Sequence, residues 1–335
     1  MKTLTSIMII LFTFFELSNA QPKLNQEHEW ELDFSIQSLS FSSDGLLLAS
    51  ADSLIQIWQI PGVSGRENIK TLSASSAFNR ATFSPDSKYL VGGDNKGTIF
   101  IWDCKSWKMV KKLSLHTGAI SALEFSPDGN ILASGDANGL ILIWETSTWK
   151  NIKKLSEAAK RITSLAFSPN GNYLAVSKFK EENIFIWDTS TWEEDIKTYE
   201  DNNEGGYFHS IAYSPNGDYL VGGKSNGKVI VFHDATTTFG INMKEKLTDH
   251  LWNVYDVAFS PNSKYLVSSS WDKTLIFWEI SSYSNSRNKI QLTHSDLFCV
   301  VAFNPNGKYL ATGDSNKLII YSINPPMAPV KDDEE

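Results

Sequence analysis

One short phrase recurs seven times along these 335 residues and constrains the fold more than any other feature. It reads Phe-Ser-Pro-Asp-Gly at Phe125 to Gly129, with variants at Phe41 to Gly45, Phe83 to Ser87, Phe167 to Gly171, Tyr213 to Gly217, Phe259 to Ser263 and Phe303 to Gly307. The spacings are 42, 42, 42, 46, 46 and 44 residues. A unit this short cannot bury its own apolar face, so copies must pack on one another. Each copy carries a tight turn, because Pro fixes φ and Asn, Asp or Gly accepts the strained position. Six of the eleven prolines stand in these turns.

Strands flank every turn. Ile162 to Phe167 precedes one, Tyr173 to Val176 follows it, and β-branched runs such as Thr98 to Trp102 come next. A more variable fourth segment is expected at Trp107–Leu113, Trp149–Leu155 and Trp192–Tyr199. No stretch keeps a helical period. Four strands per repeat of about 40–45 residues predict a propeller blade. The expected fold is all-β: a seven-bladed β-propeller of four-stranded antiparallel blades.

The blades' third strands carry the family signature. Trp102-Asp103 and Trp187-Asp188 are Trp-Asp dipeptides, Trp144-Glu145 and Trp278-Glu279 near variants. Trp58-Gln59, Phe232-His233 and Tyr321-Ser322 are degenerate copies. From about residue 27 to residue 323 the chain resembles the WD-repeat family. The resemblance implies a buried tetrad of His, Ser or Thr, Asp and Trp. The sixth copy matches throughout, with His250, Ser268, Asp272 and Trp278. The third has His116, Ser134 and Trp144, but Asn138 where the acid is expected; the seventh has His294, Thr312 and Asn316. The remaining copies lack the His, so most blades are expected to rest on apolar packing.

The last copy ends after its third strand, and Asn324-Pro-Pro326 is poor in ladder donors. Glu27 to Asp33 precedes the first inner strand with no other role. It is expected to supply the outer strand of the last blade and so close the ring. The expected domains are a signal peptide over 1–20, the propeller over 21–323 and a disordered acidic tail over 324–335. The leader reading rests on Lys2, the apolar run Ile7 to Phe15 and small residues at Ser18 and Ala20, with cleavage before Gln21. That run is shorter than the ~20 residues of a spanning helix, so no membrane span is expected after cleavage. Export (secretion, the secretory pathway or a periplasm) is the expected destination, the cytoplasm the alternative.

A formal charge of −8 and a pI near 5.4 argue against nucleic-acid partners. Cys104 and Cys299 are expected as free thiols. Strand geometry places them on opposite faces roughly 16 Å apart, beyond the ~7 Å limit for bridged Cα atoms. Gly222 to Val229 nearly reads as a phosphate loop, but Val229 replaces the metal-binding hydroxyl and strands flank both sides. The tetrad histidines come from separate blades and would not converge on a metal. No cofactor, metal or catalytic residue is expected.

One surface stands out. The resemblance implies partner binding on the face opposite the Pro-Asp-Gly turns, through residues near the start of each inner strand and before the tetrad acid. Early blades place small or polar residues there: Ser35, Gln37, Ala77, Asn79, Ala119 and Ser121. Later blades place Arg161 and Thr163, Tyr207 and His209, Asn253, Tyr255 and Trp271, then Leu297 and Cys299. Aromatic and Arg side chains are the usual anchors of interfaces. The expected function is a non-catalytic scaffold, a monomeric propeller within a complex, holding a protein or peptide on the aromatic sector of blades five to seven. The alternative is an exported enzyme or small-ligand binder using the central channel. It needs converging acids and histidines on inner strands that carry mostly Ser, Thr, Asn, Ala and aliphatics.

Overall fold

The computed structural model describes residues 21–33, 35–60, 68–155, 160–195, 205–233, 242–280, 289–293, 297 and 300–329. The expected leader, His294, Cys299 and the last six residues lie outside these. The described residues form seven four-stranded antiparallel sheets and no helix. Blade 3 is typical, running Ile120–Phe125, Ile131–Asp136, Ile141–Glu145 and Lys150–Lys154 from the axis outward.

The repeated phrase closes the turn between the first two strands of each blade. In blades 1 to 6 its Ser is buried, and the hydroxyl both donates to the Asp or Asn two residues on and accepts the N–H five residues on, while Asn304 takes this place in blade 7. Ser126 Oγ sits 2.5 Å from Asp128 Oδ1 and 3.0 Å from Ile131 N. The last position takes positive φ, which Gly tolerates at no steric cost. Where Ser87 and Ser263 stand there instead (φ 56° and 59°), each hydroxyl accepts a backbone N–H from the preceding turn. The fourth strands begin later than expected. Trp107, Trp149 and Trp192 belong to the hairpin turns before them, at φ 53–54°, and pack back on the blade cores.

The core lies between blades. Ala49, Ile55 and Ile57 of blade 1 pack against Phe78, Leu90 and Trp102 of blade 2, and this pattern repeats around the ring. Inner-strand side chains also hydrogen-bond the next inner strand: Ser38 to Ala81, Asn79 to Ile120, Ser121 to Ile162 and Thr163 to Phe208. The polar residues of the inner strands therefore satisfy strand edges that would otherwise be bare in the channel.

An N-terminal strand does complete blade 7, but it runs Lys23–Glu31, upstream of the expected 27–33, and pairs with Lys317–Asn324. Leu24 and Trp30 set this register by packing on the blade 7 core and on Trp58. The expectation of a disordered tail from Asn324 is corrected for its first six residues. Met327 is 2% exposed in the blade 7 core, and its N–H donates to Gly307 O at 2.9 Å. A Cβ at Gly307 would lie 2.2 Å from the Met327 backbone, so this docking requires glycine there. Met327→Ala is expected to cost roughly 2–3 kcal/mol in urea unfolding, where a residue of a free tail would cost nothing.

Candidate functional site

Five inner strands bulge at the same place. Pairing slips between Phe78 and Arg80, Ile120 and Ala122, Ile162 and Ser164, Phe208 and Ser210, and Val254 and Asp256. A bulge turns two successive residues to one face, so Asn79 with Arg80, and Tyr255 with Asp256, are partly buried beside a fully buried neighbour, and the partly buried His209 is followed by the buried Ser210. Simple alternation would send Arg80 and Asp256 into the core. They line the channel instead, and these are the charged residues the sequence reading missed there, together with Glu124.

The loops are built by a second repeated contact. In blades 2 to 6 the residue after the second strand donates its N–H to the residue just before the inner strand, as in Phe179 to Arg161 O (2.8 Å), Ser225 to Tyr207 O (2.9 Å) and Trp271 to Asn253 O (3.1 Å). Each contact holds two side-chain positions together at the mouth. Phe179 stands at the offset from its repeat phrase that picks out Trp271, so the sequence held the signal for it.

Around the mouth Phe179, Tyr207, His209, Tyr255 and Trp271 form one continuous aromatic arc. Centroid separations are 4.7 Å for Phe179–Tyr207 and for Tyr207–His209, 5.4 Å for His209–Tyr255 and 5.9 Å for Tyr255–Trp271. Burial, with Arg161 acting in the same direction, pushes the His209 imidazole down to about 4, so the ring stacks as a neutral group at pH 7. The arc and Arg161 line a cavity of about 640 Å³. Of the expected site residues, Arg161, Tyr207, His209, Tyr255 and Trp271 meet there. Asn253 and Leu297 are not among its lining residues, and the rings of the arc come from blades four to six. Two further residues were missed on the same face. Leu251 and Trp252 are 83% and 63% exposed, beside Asn253.

The blade 6 tetrad presents that pair. His250 Nδ1 faces Asp272 Oδ2 at 3.0 Å, its Nε2 faces Ser268 Oγ at 2.7 Å, and Trp278 Nε1–H donates to the same hydroxyl at 2.8 Å. Asp272 also accepts the Leu251 N–H at 2.8 Å, which pins the loop. Blade 3 holds a second complete tetrad, contrary to the expectation that Asn138 breaks it. Asp136, two residues earlier, faces His116 Nδ1 at 3.1 Å and accepts the N–H groups of Gly118, Asn138 and Leu140. Asn138 turns outward to Thr117 Oγ1. In blade 7, His294 lies outside the described residues.

The channel charges are mostly engaged. Arg80 Nη1 donates to Gln37 O (2.8 Å) and Asn79 O (2.9 Å). Asp256 accepts from Ser210 Oγ, Val257 N and Val301 N, tying blades 5, 6 and 7 together. Burial alone pushes Glu124 up to about 8, and no other charge bears on it. No cluster of His, Cys, Asp and Glu suited to a metal occurs among the described residues, nor any helix long and apolar enough to cross a membrane. Cys104 is a free thiol with its pKa pushed up to about 12, chiefly by burial.

Seven four-stranded blades, shared inter-blade cores and Trp–Ser–His–Asp tetrads define a WD-type propeller. The family model described as the IFT122 first beta-propeller matches residues 77–325, and the WD domain, G-beta repeat, matches residues 25–59. The chain belongs to the WD-repeat β-propeller family. It is similar to myosin heavy chain kinase C of Dictyostelium discoideum, 36% identical over 78 residues. That match covers 23% of this chain and 9% of the kinase. Propellers of this family are typically platforms for protein interaction and generally non-catalytic.

Proposed function

We propose that this propeller is a non-catalytic scaffold that holds a protein or peptide partner on the channel face of blades four to six. The observation that carries this reading is the exposed pair Leu251–Trp252 on a loop pinned by a buried tetrad, beside an aromatic arc built from three blades. Large apolar side chains presented rigidly to water are a cost that a partner removes. General acid–base catalysis needs a second reacting group within reach, and burial is what raises the Glu124 pKa, with no partner group acting on it. Asp256 and Arg80 serve the ring.

The reading includes a monomeric propeller within a larger complex and export of the chain, for which the pattern of residues 2–20 is the support. Mature protein starting at Gln21 is the expected result of N-terminal sequencing, and material starting at Met1 would point to the cytoplasm. Affinity capture from the native compartment tests the face. Wild type is expected to retain a partner that Trp252→Ala and Trp271→Ala each weaken by about 30-fold, the size of a ~2 kcal/mol hot spot. Equal capture by all three proteins would sink the site.

A further inference from the structure

The lining of the cavity at the channel mouth is of two kinds. One is the arc from Phe179 to Trp271. The other carries Arg161 and Arg80, from blades 4 and 2. Four charged residues line the cavity, Arg80, Glu124, Arg161 and Asp256, and burial pushes Glu124 up to about 8, so it is mostly neutral at pH 7. Arg80 and Asp256 act on each other and are both held by hydrogen bonds within the ring. Glu181, near Phe179, is taken by Lys160, and Glu182 does not line the cavity.

Arg161 is different. The residue is exposed, and its guanidinium makes no hydrogen bond or ion pair among the described residues, yet its charge bears on Arg80, Tyr207 and His209 at once. Among the described residues that line the mouth, Arg161 is therefore a positive charge without a partner, beside an apolar shelf, on a protein whose formal charge is −8. A guanidinium offers a planar fork of donors that matches a carboxylate in two parallel hydrogen bonds. One guanidinium balances the charge of a carboxylate and leaves a phosphate dianion half compensated. The neutral rings beside it supply contact area for an apolar neighbour.

We propose that the mouth takes an acidic peptide: an Asp or Glu carboxylate of the partner pairs with Arg161, and an adjacent apolar or aromatic side chain packs on the Tyr207–Trp271 arc. This rests on the reading of that face as the partner surface and specifies the partner's chemistry. Charge complementarity selects the occupant. The alternatives, a neutral peptide and a phosphopeptide, are outcomes of the test.

A random dodecapeptide display selection on the purified propeller supplies the probes. Enriched sequences are expected to place Asp or Glu within a few residues of an aromatic or Leu side chain. Replacing that acid by its amide in the synthetic peptide is expected to weaken binding at least tenfold, the scale of a lost charge-assisted hydrogen bond. Arg161→Met removes a side chain with no partner in the fold, so it leaves stability intact. It is expected to bring the acid and amide peptides to equal affinity and to flatten the salt dependence, whereas Tyr255→Ala weakens both peptides alike. No enrichment of acids, no binding, or equal affinity of acid and amide for wild type overturns the proposal. A phosphoserine peptide binding far more tightly than the acid assigns the mouth to phosphopeptides and also overturns it. Partner capture that still depends on Trp252 and Trp271 shows that only the carboxylate pairing has failed. Capture indifferent to both shows that the face itself was wrong.

Discussion

A chain that begins at Asp33 instead of Gln21 is expected to lose about 4 kcal/mol of stability and to melt roughly 10 °C lower. The truncation removes the strand Lys23–Glu31, which pairs along the whole of Lys317–Asn324. Two losses add. Leu24, Trp30 and Leu32 leave their partly buried positions against the cores of blades 7 and 1, each about 1 kcal/mol or a little more. The strand they covered then becomes an open sheet edge, a template for pairing with another chain. The surface pair Lys317–Glu29 adds little, since exposed ion pairs are worth at most about 1 kcal/mol. Trp30→Ala, which leaves the ladder in place, is expected to cost only about 1–2 kcal/mol. Scanning calorimetry and gel filtration read both effects. A truncated chain that stays monomeric and melts within a few degrees of the intact one would show that the closing strand contributes little.

The second large effect concerns blade 3. Asp136→Ala is expected to destabilise by about 3–5 kcal/mol, because removing one partner of a buried charged network strands the others. His116 and the N–H groups of Gly118, Asn138 and Leu140 would lose their shared acceptor. Asn138→Ala, at the position where the family pattern expects the acid, is expected to cost under 1 kcal/mol, because that side chain is exposed and bonds only Thr117. Urea unfolding of the two variants separates the assignments, and a larger loss at Asn138 would refute that of Asp136.

The Asp136 contribution has a defined pH window. Burial opposes its ionisation, but the hydrogen bonds from His116, Leu140 and Gly118 outweigh it and hold the carboxyl near 2, below the ordinary 3.8. A depressed folded pKa adds stability that is complete above about pH 5 and lost as pH falls toward 2. The gap between wild type and Asp136→Asn is therefore expected to shrink by roughly 2 kcal/mol over that range. Blade 6 moves the same way. Burial lowers the His250 pKa, Asp272 opposing it, while the bonds from Thr274, Leu251 and His250 hold Asp272 low against its own burial. Both groups bind protons more readily when unfolded, so acid weakens this tetrad too.

The family, the blade count and the closing device were legible in the sequence, and so was the blade 6 tetrad. Arg161, Tyr207, His209, Tyr255 and Trp271 were found by their offsets from the repeat. Phe179 obeys the same offset as Trp271 and was passed over. The acid of blade 3 was misplaced because either of two residues near the second turn can reach the histidine: Asp136 at the end of its strand, or a residue two further on, as Asp272 does in blade 6. Residue identity chooses between them: blade 3 has its acid at the first position and Asn138 at the second, blade 6 has Ser270 at the first and its acid at the second.

By itself the sequence determined the blade: a buried Ser and a Pro-Asp-Gly turn, alternating strands and a Trp on the third, all written within one repeat. Those features follow from local chemistry, from the fixed φ of proline, the tolerance of glycine for positive φ and the two-residue period of a strand. Tertiary structure decided which residues turn into the channel, since the bulges that expose Arg80 and Asp256 arise from pairing between strands. It also decided that rings from blades 4, 5 and 6 meet in one arc beside the Arg161 guanidinium, which is unpaired among the described residues. These residues lie about one repeat apart, and only the curvature of a closed ring brings them together.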